Sequence, residues 1–196
     1  MNLEDKKDQI EYHFKKIMEI MELPVDTDPS IIKTPYRVAK MFVDEVFRGL
    51  FYDRPVISSQ PNVFKYDQML IEANMKVHSF CEHHFIPILG ACHVAYIPKD
   101  KVLGLSKFNR IVDWYARRPQ VQEKLTQQII EDLKKELETE NVAVVIDGIH
   151  LCVKMRGIKD QNTVTRTSAL SGDFLEDGTV RNEFLSAIPK MNELKL

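Results

Sequence analysis

Residues 142 to 157 read VAVVIDGIHLCVKMRG. The first six are rich in β-branched side chains, which favour strands. Asp147 and Gly148 then give a two-residue turn signal of the kind that joins hairpin strands, and GIHLCVKM resumes a strand pattern. The stretch predicts a hairpin. Alternate residues of a strand point to one side, so Ile149, Leu151, Val153 and Met155 share an apolar face and His150, Cys152, Lys154 and Arg156 share the other. The apolar face suits packing on helices. The opposite face gathers an imidazole, a thiol and two cations, which are costly to cover without partners.

Working outward, 69–98 also reads as strands, most clearly in ILGACHVAYI between Pro87 and Pro98. Two long helical patterns separate the strand regions. One starts at Ser106, a residue suited to a helix cap, with Leu105, Phe108, Val112 and Tyr115 recurring. The other starts at Pro119, with Val121, Leu125, Ile129, Leu133 and Leu137 at helical spacing. TVTRTSAL (163–170) adds a further extended segment, and a short helix over 182–188 closes the chain. Strands, two helices and strands again predict an α+β layer: an antiparallel sheet backed by two long helices.

Before this layer, Ile10, Phe14, Ile17, Met18 and Met21 fall on one helical stripe that Pro24 ends. A second helix opens at Thr34 and Pro35, carries Val38, Met41, Phe42 and Val46 on one face, and stops at Gly49. Residues 1–55 therefore form an N-terminal helical appendage, and 56–196 the main α+β domain. A chain of 196 residues buries roughly 70% of its unfolded surface. With 44% hydrophobic and 29% charged residues it has the composition of a globular protein. The net charge of −2 argues against general binding to nucleic acid or anionic membranes. No apolar run has signal-peptide or membrane-span length, which points to the cytoplasm. Three cysteines make a sparse, odd set, unlike a disulfide framework and free to bind metal.

The chemistry concentrates in SFCEHHF (79–85). Cys81 and His84 are three positions apart, so thiolate and imidazole can meet at one ion on a turn. Cys152, in the other His/Cys cluster, is the best third ligand. Zinc favours such donors, and three protein ligands leave one position for water, whose pKa on zinc falls to about 7. His83 and His150 then remain beside the metal as proton carriers. Alternatives stay open on residue types alone. Cys81 and Cys152 can be ordinary buried thiols, and His83 or His150 can close a four-ligand structural site. A zinc nucleobase deaminase shares two thiolates and one histidine, but its His-x-Glu and Pro-Cys-x-x-Cys strings are absent from this sequence. Cys92 reads as core, and His13, His78 and His93 as surface or packing residues. GLSKFNR (104–110) sets Ser106 at a helix start with Lys107 and Arg110, an anion site to which Arg156 can add. The same basic residues also suit a solvated helix face. Gln122 and Glu123 open the second helix, where surface exposure is the plain reading and a carboxylate can also accept two N–H bonds from a base edge.

Several blocks together resemble GTP cyclohydrolase I: CEHH, VAYIPKDKVLGLSKFNRIV, RRPQVQEKLTQQI and HLCVKMRG, with TPYRVAKMFVDEVFRGL as an N-terminal helix. The resemblance runs from about Thr34 to Ile188. It implies a zinc enzyme that converts GTP and water to formate and 7,8-dihydroneopterin triphosphate, the first step toward tetrahydrofolate and other pterins. By position it implies Cys81, His84 and Cys152 as zinc ligands and His83 and His150 as catalytic histidines. It places Ser106, Lys107, Arg110 and Arg156 at the triphosphate, and Gln122 and Glu123 at the guanine. It also implies a tunnelling fold, in which subunit sheets close into a barrel and two five-membered rings make a homodecamer with sites between subunits. Two positions depart from the family pattern: Ala91, where a basic residue is common, and Arg166, in a stretch usually rich in Ser and Thr.

Overall fold

The computed structural model describes residues 1–191. It divides into two units, Met1–Asp53 and Arg54–Leu196, and the last five residues of the second lie outside the description. In the first unit, α1 (Leu3–Ile20) begins with a capping box: the Asn2 side chain accepts from the Asp5 amide, and the Asp5 carboxylate accepts from the Asn2 amide. Next comes α2 (Thr34–Lys40), with Pro35 in its first turn as expected, although Thr34 lies inside the helix and Lys33 holds the cap position. The helix then widens into a π-helical stretch, Met41–Val46, before α3 (Arg48–Phe51). Phe47 donates to the Phe42 carbonyl, five residues back, the bond that defines this widening. Lys7 and Tyr52 both reach the Asp44 carboxylate, at 3.0 and 2.8 Å.

The second unit is a mixed α+β layer. Its main sheet has the order β5-β2-β3-β6-β7, formed by β2 (Leu70–Cys81), β3 (Pro87–Tyr96), β5 (Pro119–Gln120), β6 (Val142–His150) and β7 (Thr165–Leu170). Every pairing is antiparallel except the short β2–β5 contact. A separate ribbon pairs β1 (Ser59–Pro61) with β4 (Lys101–Leu103). Two long helices, α4 (Leu105–Ala116) and α5 (Gln122–Leu137), cover one face. There Val144 and Ile146 of β6 and Cys92, Val94 and Tyr96 of β3 meet Phe108, Val112, Leu125, Ile129 and Leu133 in one buried cluster. Each such aliphatic side chain contributes about 1.5–3 kcal/mol by leaving water. On the opposite face a smaller cluster joins Ala95, Ala143 and Val145 to Phe174 and Phe184. Those two aromatics come from α7 (Asp173–Glu176) and α8 (Gly178–Ala187).

The expected hairpin at Asp147–Gly148 does not form. The strand β6 runs straight through these residues, paired with β3 from Val142 to His150 and with β7 from Ala143 to Gly148. Only after His150 does the chain turn, into the single helical turn α6 (Leu151–Lys154). Both turn residues have other physical reasons to be there. Asp147 is 2% exposed and accepts two 2.7 Å bonds from the Arg166 guanidinium. At Gly148 a Cβ would stand 2.3 Å from the Gln122 side-chain oxygen. The alternation proposed for Ile149 to Arg156 therefore ends at His150, and Cys152 sits on a helical turn, not on a strand face.

The helix starts also shift. The first residue of α4 is Leu105, with Gly104 at the cap, so Ser106 lies inside the first turn and makes no capping bond. Residues Pro119 and Gln120 form β5, beside Phe80 and Cys81, and α5 begins three residues later than expected.

Candidate functional site

The CEHH turn is the connection between β2 and β3. It is tied at both ends: the Cys81 amide donates to the Ile86 carbonyl at 2.9 Å, and the Phe85 amide to the Cys81 carbonyl at 2.8 Å. Phe85 takes a positive φ of 53° to close it. From the side, β5 holds the turn, because the Glu82 amide donates to the Gln120 carbonyl at 3.0 Å. The turn's position also explains how Cys152 arrives. In the β3–β6 register Ile88 lies opposite His150, so the chain leaving β6 emerges beside the turn that enters β3.

The result is a convergence of three donors. The ligand atoms of Cys81, His84 and Cys152 all lie within 4.8 Å of one another. The Cys81 Sγ is 3.7 Å from His84 Nδ1 and 3.9 Å from His83 Nδ1. Cys81 is buried, Cys152 half-buried, and His83 and His84 exposed. Burial, and then the neighbouring Cys81, raise the Cys152 thiol above its ordinary pKa, while Arg156 pulls the other way. Two thiols this close resist losing both protons unless a cation joins them. Two sulfurs and one imidazole are a donor set that suits a borderline metal such as zinc. The residues therefore fit a metal.

His150 stands at the end of β6. Its Nε2 lies 2.7 Å from the side-chain oxygen of Gln122. Burial lowers its pKa below the ordinary histidine value, and Glu123 offsets this in part, so the ring tends to neutral at pH 7. Gln122, expected at the guanine, is 2% exposed. Its amide nitrogen donates to the carbonyls of Ile146 and Thr165, each at 3.0 Å, and to Thr167 Oγ1 at 3.1 Å. Glu123, the next residue, is exposed. Beside the CEHH turn, Lys124 donates to Glu82 at 2.6 Å.

The anion-binding candidates come from two other segments. Ser106, Lys107 and Arg110 sit on the first two turns of α4, Ser106 and Arg110 exposed and Lys107 half-buried. Arg156 is exposed just after α6. Cys92 is fully buried in the core cluster, where burial raises its thiol pKa strongly. His13 and His78 are exposed. His93, expected as a surface or packing residue, has a polar role that its isolated place in the sequence does not signal. Its ring is 1% exposed, accepts the Asn74 amide on Nδ1 at 3.2 Å, and approaches Asp147 with Nε2 at 3.6 Å.

Known proteins bear on this geometry. The family model described as GTP cyclohydrolase I matches residues 10–189. A GTP cyclohydrolase 1 from Yersinia pseudotuberculosis serotype O:1b is 48% identical over 189 residues, spanning 96% of this chain and 86% of that protein. One from Klebsiella pneumoniae subsp. pneumoniae is 50% identical over 186 residues, spanning 94% of this chain and 83% of that one. Among solved structures, the archaeosine synthase QueF-Like in its apo form aligns with a TM-score of 0.42 and 22% identity, over 55% of this chain and 94% of its own. That alignment is too loose to bear on the site. The full-length agreement in sequence decides the matter: the chain belongs to the GTP cyclohydrolase I family.

Proposed function

We propose that Cys81, His84 and Cys152 hold a zinc ion, and that His83 and His150 move the protons as the chain hydrolyses GTP. The family reaction opens the imidazole ring of the guanine with water and yields formate and 7,8-dihydroneopterin triphosphate, the first step toward tetrahydrofolate. The observation that carries the reading is the meeting of two thiols and an imidazole within 4.8 Å, from the β2–β3 turn and from the turn after β6. A zinc ion bound there supplies Lewis acidity, which makes water a nucleophile near neutral pH.

The other roles follow from position and chemistry. A largely neutral His150 has a free lone pair to accept a proton at working pH, the condition for a general base. His83, exposed on the same turn as two of the ligands, can deliver a proton to the opened ring. Ser106, Lys107 and Arg110 at the start of α4, with Arg156, supply donors for the triphosphate; each charge-assisted bond contributes about 1.5–3 kcal/mol. Glu123, an exposed carboxylate, is the group assigned to accept the N–H edge of guanine. Gln122 is grouped with it by the family resemblance, although its amide is engaged inside the fold.

Subunit assembly completes the site. Among the described residues β7 is paired on one side only, and β2 meets β5 only through Phe80 and Cys81. Such open edges attract further strands, and a ring of copies closing into a barrel, doubled to a decamer, would satisfy them and bring anion-binding residues of one copy to the metal of another. The setting is the cytoplasm, where thiols stay reduced. The test is direct: zinc-loaded oligomer incubated with GTP should release formate and leave a pterin that fluoresces after oxidation. No formate from such a sample would overturn the reading.

A further inference from the structure

The side chain of Gln122 is enclosed by groups that fix which of its ends faces which way. Two of its neighbours, the carbonyls of Ile146 and Thr165, can only accept hydrogen bonds, and each lies 3.0 Å from one end of the amide. That end must be the nitrogen, because an oxygen there would face two carbonyl oxygens. Thr167 Oγ1, 3.1 Å from the same nitrogen, is itself 2.7 Å from Thr126 Oγ1, and Thr126 also donates to the Gln122 carbonyl at 2.8 Å. The amide is held by β6, β7 and the first turn of α5 together. What remains is its oxygen, aimed at His150 Nε2 from 2.7 Å. An amide oxygen has no proton to give, so the ring must donate from Nε2.

We propose that Gln122 is a positioning residue: it fixes His150 as the Nε2–H tautomer, so that Nδ1 is the ring's one basic nitrogen, and it does not read the purine. This rests on the assignment of His150 as a proton carrier and deepens it. Two further features agree. Glu123 is exposed and so open to a base edge, whereas Gln122 is 2% exposed. And Gly148 has no side chain where a Cβ would come within 2.3 Å of the Gln122 oxygen, so the strand has kept room for this one contact. Groups that orient a catalytic or ligating histidine through its second nitrogen typically matter about 10–100-fold in activity.

The experiment compares Gln122→Met with the parent enzyme, both loaded with zinc. The expected result is a kcat about 10–100-fold lower, with KM for GTP within about twofold and an unchanged preference for GTP over ATP. The double variant Gln122→Met/His150→Ala should lose no more than His150→Ala alone, since the glutamine acts through the histidine. A raised KM with kcat intact, a relaxed base preference, a fully active Gln122→Met, or additive losses in the double variant would each overturn the proposal. A second measurement is independent of turnover and of whether Gln122→Met folds. Nitrogen-15 spectra of histidine-labelled parent protein at pH 8, with the His150 signals assigned by difference from His150→Ala, should give a protonated Nε2 and a bare Nδ1. A protonated Nδ1 with a bare Nε2 would overturn it. If the parent enzyme released no formate, the functional reading would fall while these spectra still decided the tautomer.

Discussion

At the scale of single residues, ligands and proton carriers should separate cleanly. Cys152→Ala should lose both metal and turnover. His83→Ala and His150→Ala should keep full zinc stoichiometry while kcat falls about 10²–10⁴-fold. Metal analysis alongside the formate assay checks all three, and full zinc in Cys152→Ala would remove that residue from the ligand set. Glu123→Ala should weaken discrimination of GTP from ATP, read as the ratio of their kcat/KM values; an unchanged ratio would end its role at the base. The meeting of Cys81, His84 and Cys152 was legible in the sequence because thiols and imidazoles are few and a shared ion would constrain their spacing. Gln122 was not. Two of the groups that hold its amide are backbone carbonyls, which leave no mark in residue type, and the third, Thr167, lies 45 positions away.

At the scale of elements, the informative failure is the hairpin. An Asp-Gly pair between apolar runs is a strong turn signal, yet here Asp147 is a buried partner for Arg166 and His93, and Gly148 makes room for Gln122. Long-range packing overrode the local preference, as it also did at Pro119, which enters β5 beside β2 instead of starting a helix. The periodic helices and the alternating strands were legible because their patterns repeat over many residues. The network on the far face of the sheet carries a pH prediction. Burial lowers the pKa of His93 from its ordinary 6.5, with Arg166 acting the same way and Asp147 opposing. Above that pH the ring is neutral folded and unfolded, and its contribution is complete. Below it the unfolded chain takes up the proton first, so stability is lost as pH falls toward the depressed folded value. Urea unfolding at pH 7.5 and 5.5 should show a larger drop for the parent than for His93→Gln. Equal drops would mean that His93 titrates alike in both states. The same network explains Arg166, which departs from the usual Ser and Thr of its stretch: it neutralises a carboxylate that is 2% exposed and donates to the Pro189 carbonyl at 2.9 Å.

For the whole molecule, the proposed assembly draws on the edges of the main sheet. Its described edges are open, and the side chains of α4 proposed to bind the triphosphate sit on an element separate from the thiol–imidazole group. Sedimentation should give a particle of about ten times the 22.8 kDa chain mass, and dilution to monomer should abolish turnover. A monomer with full activity would refute assembly of the site from several subunits. Neither edge nor assembly was legible from residue patterns, since a strand's own sequence does not say which copy pairs with it; that expectation came from family resemblance alone. The central claim is that one ion is shared by Cys81, His84 and Cys152 with a position left for water. X-ray absorption at the zinc edge of the purified protein tests it most directly. The expected result is two sulfur neighbours at about 2.3 Å and two lighter ones, imidazole and water, at about 2.0–2.1 Å. A shell without sulfur, or one with three sulfurs or two imidazoles and no water, would contradict it.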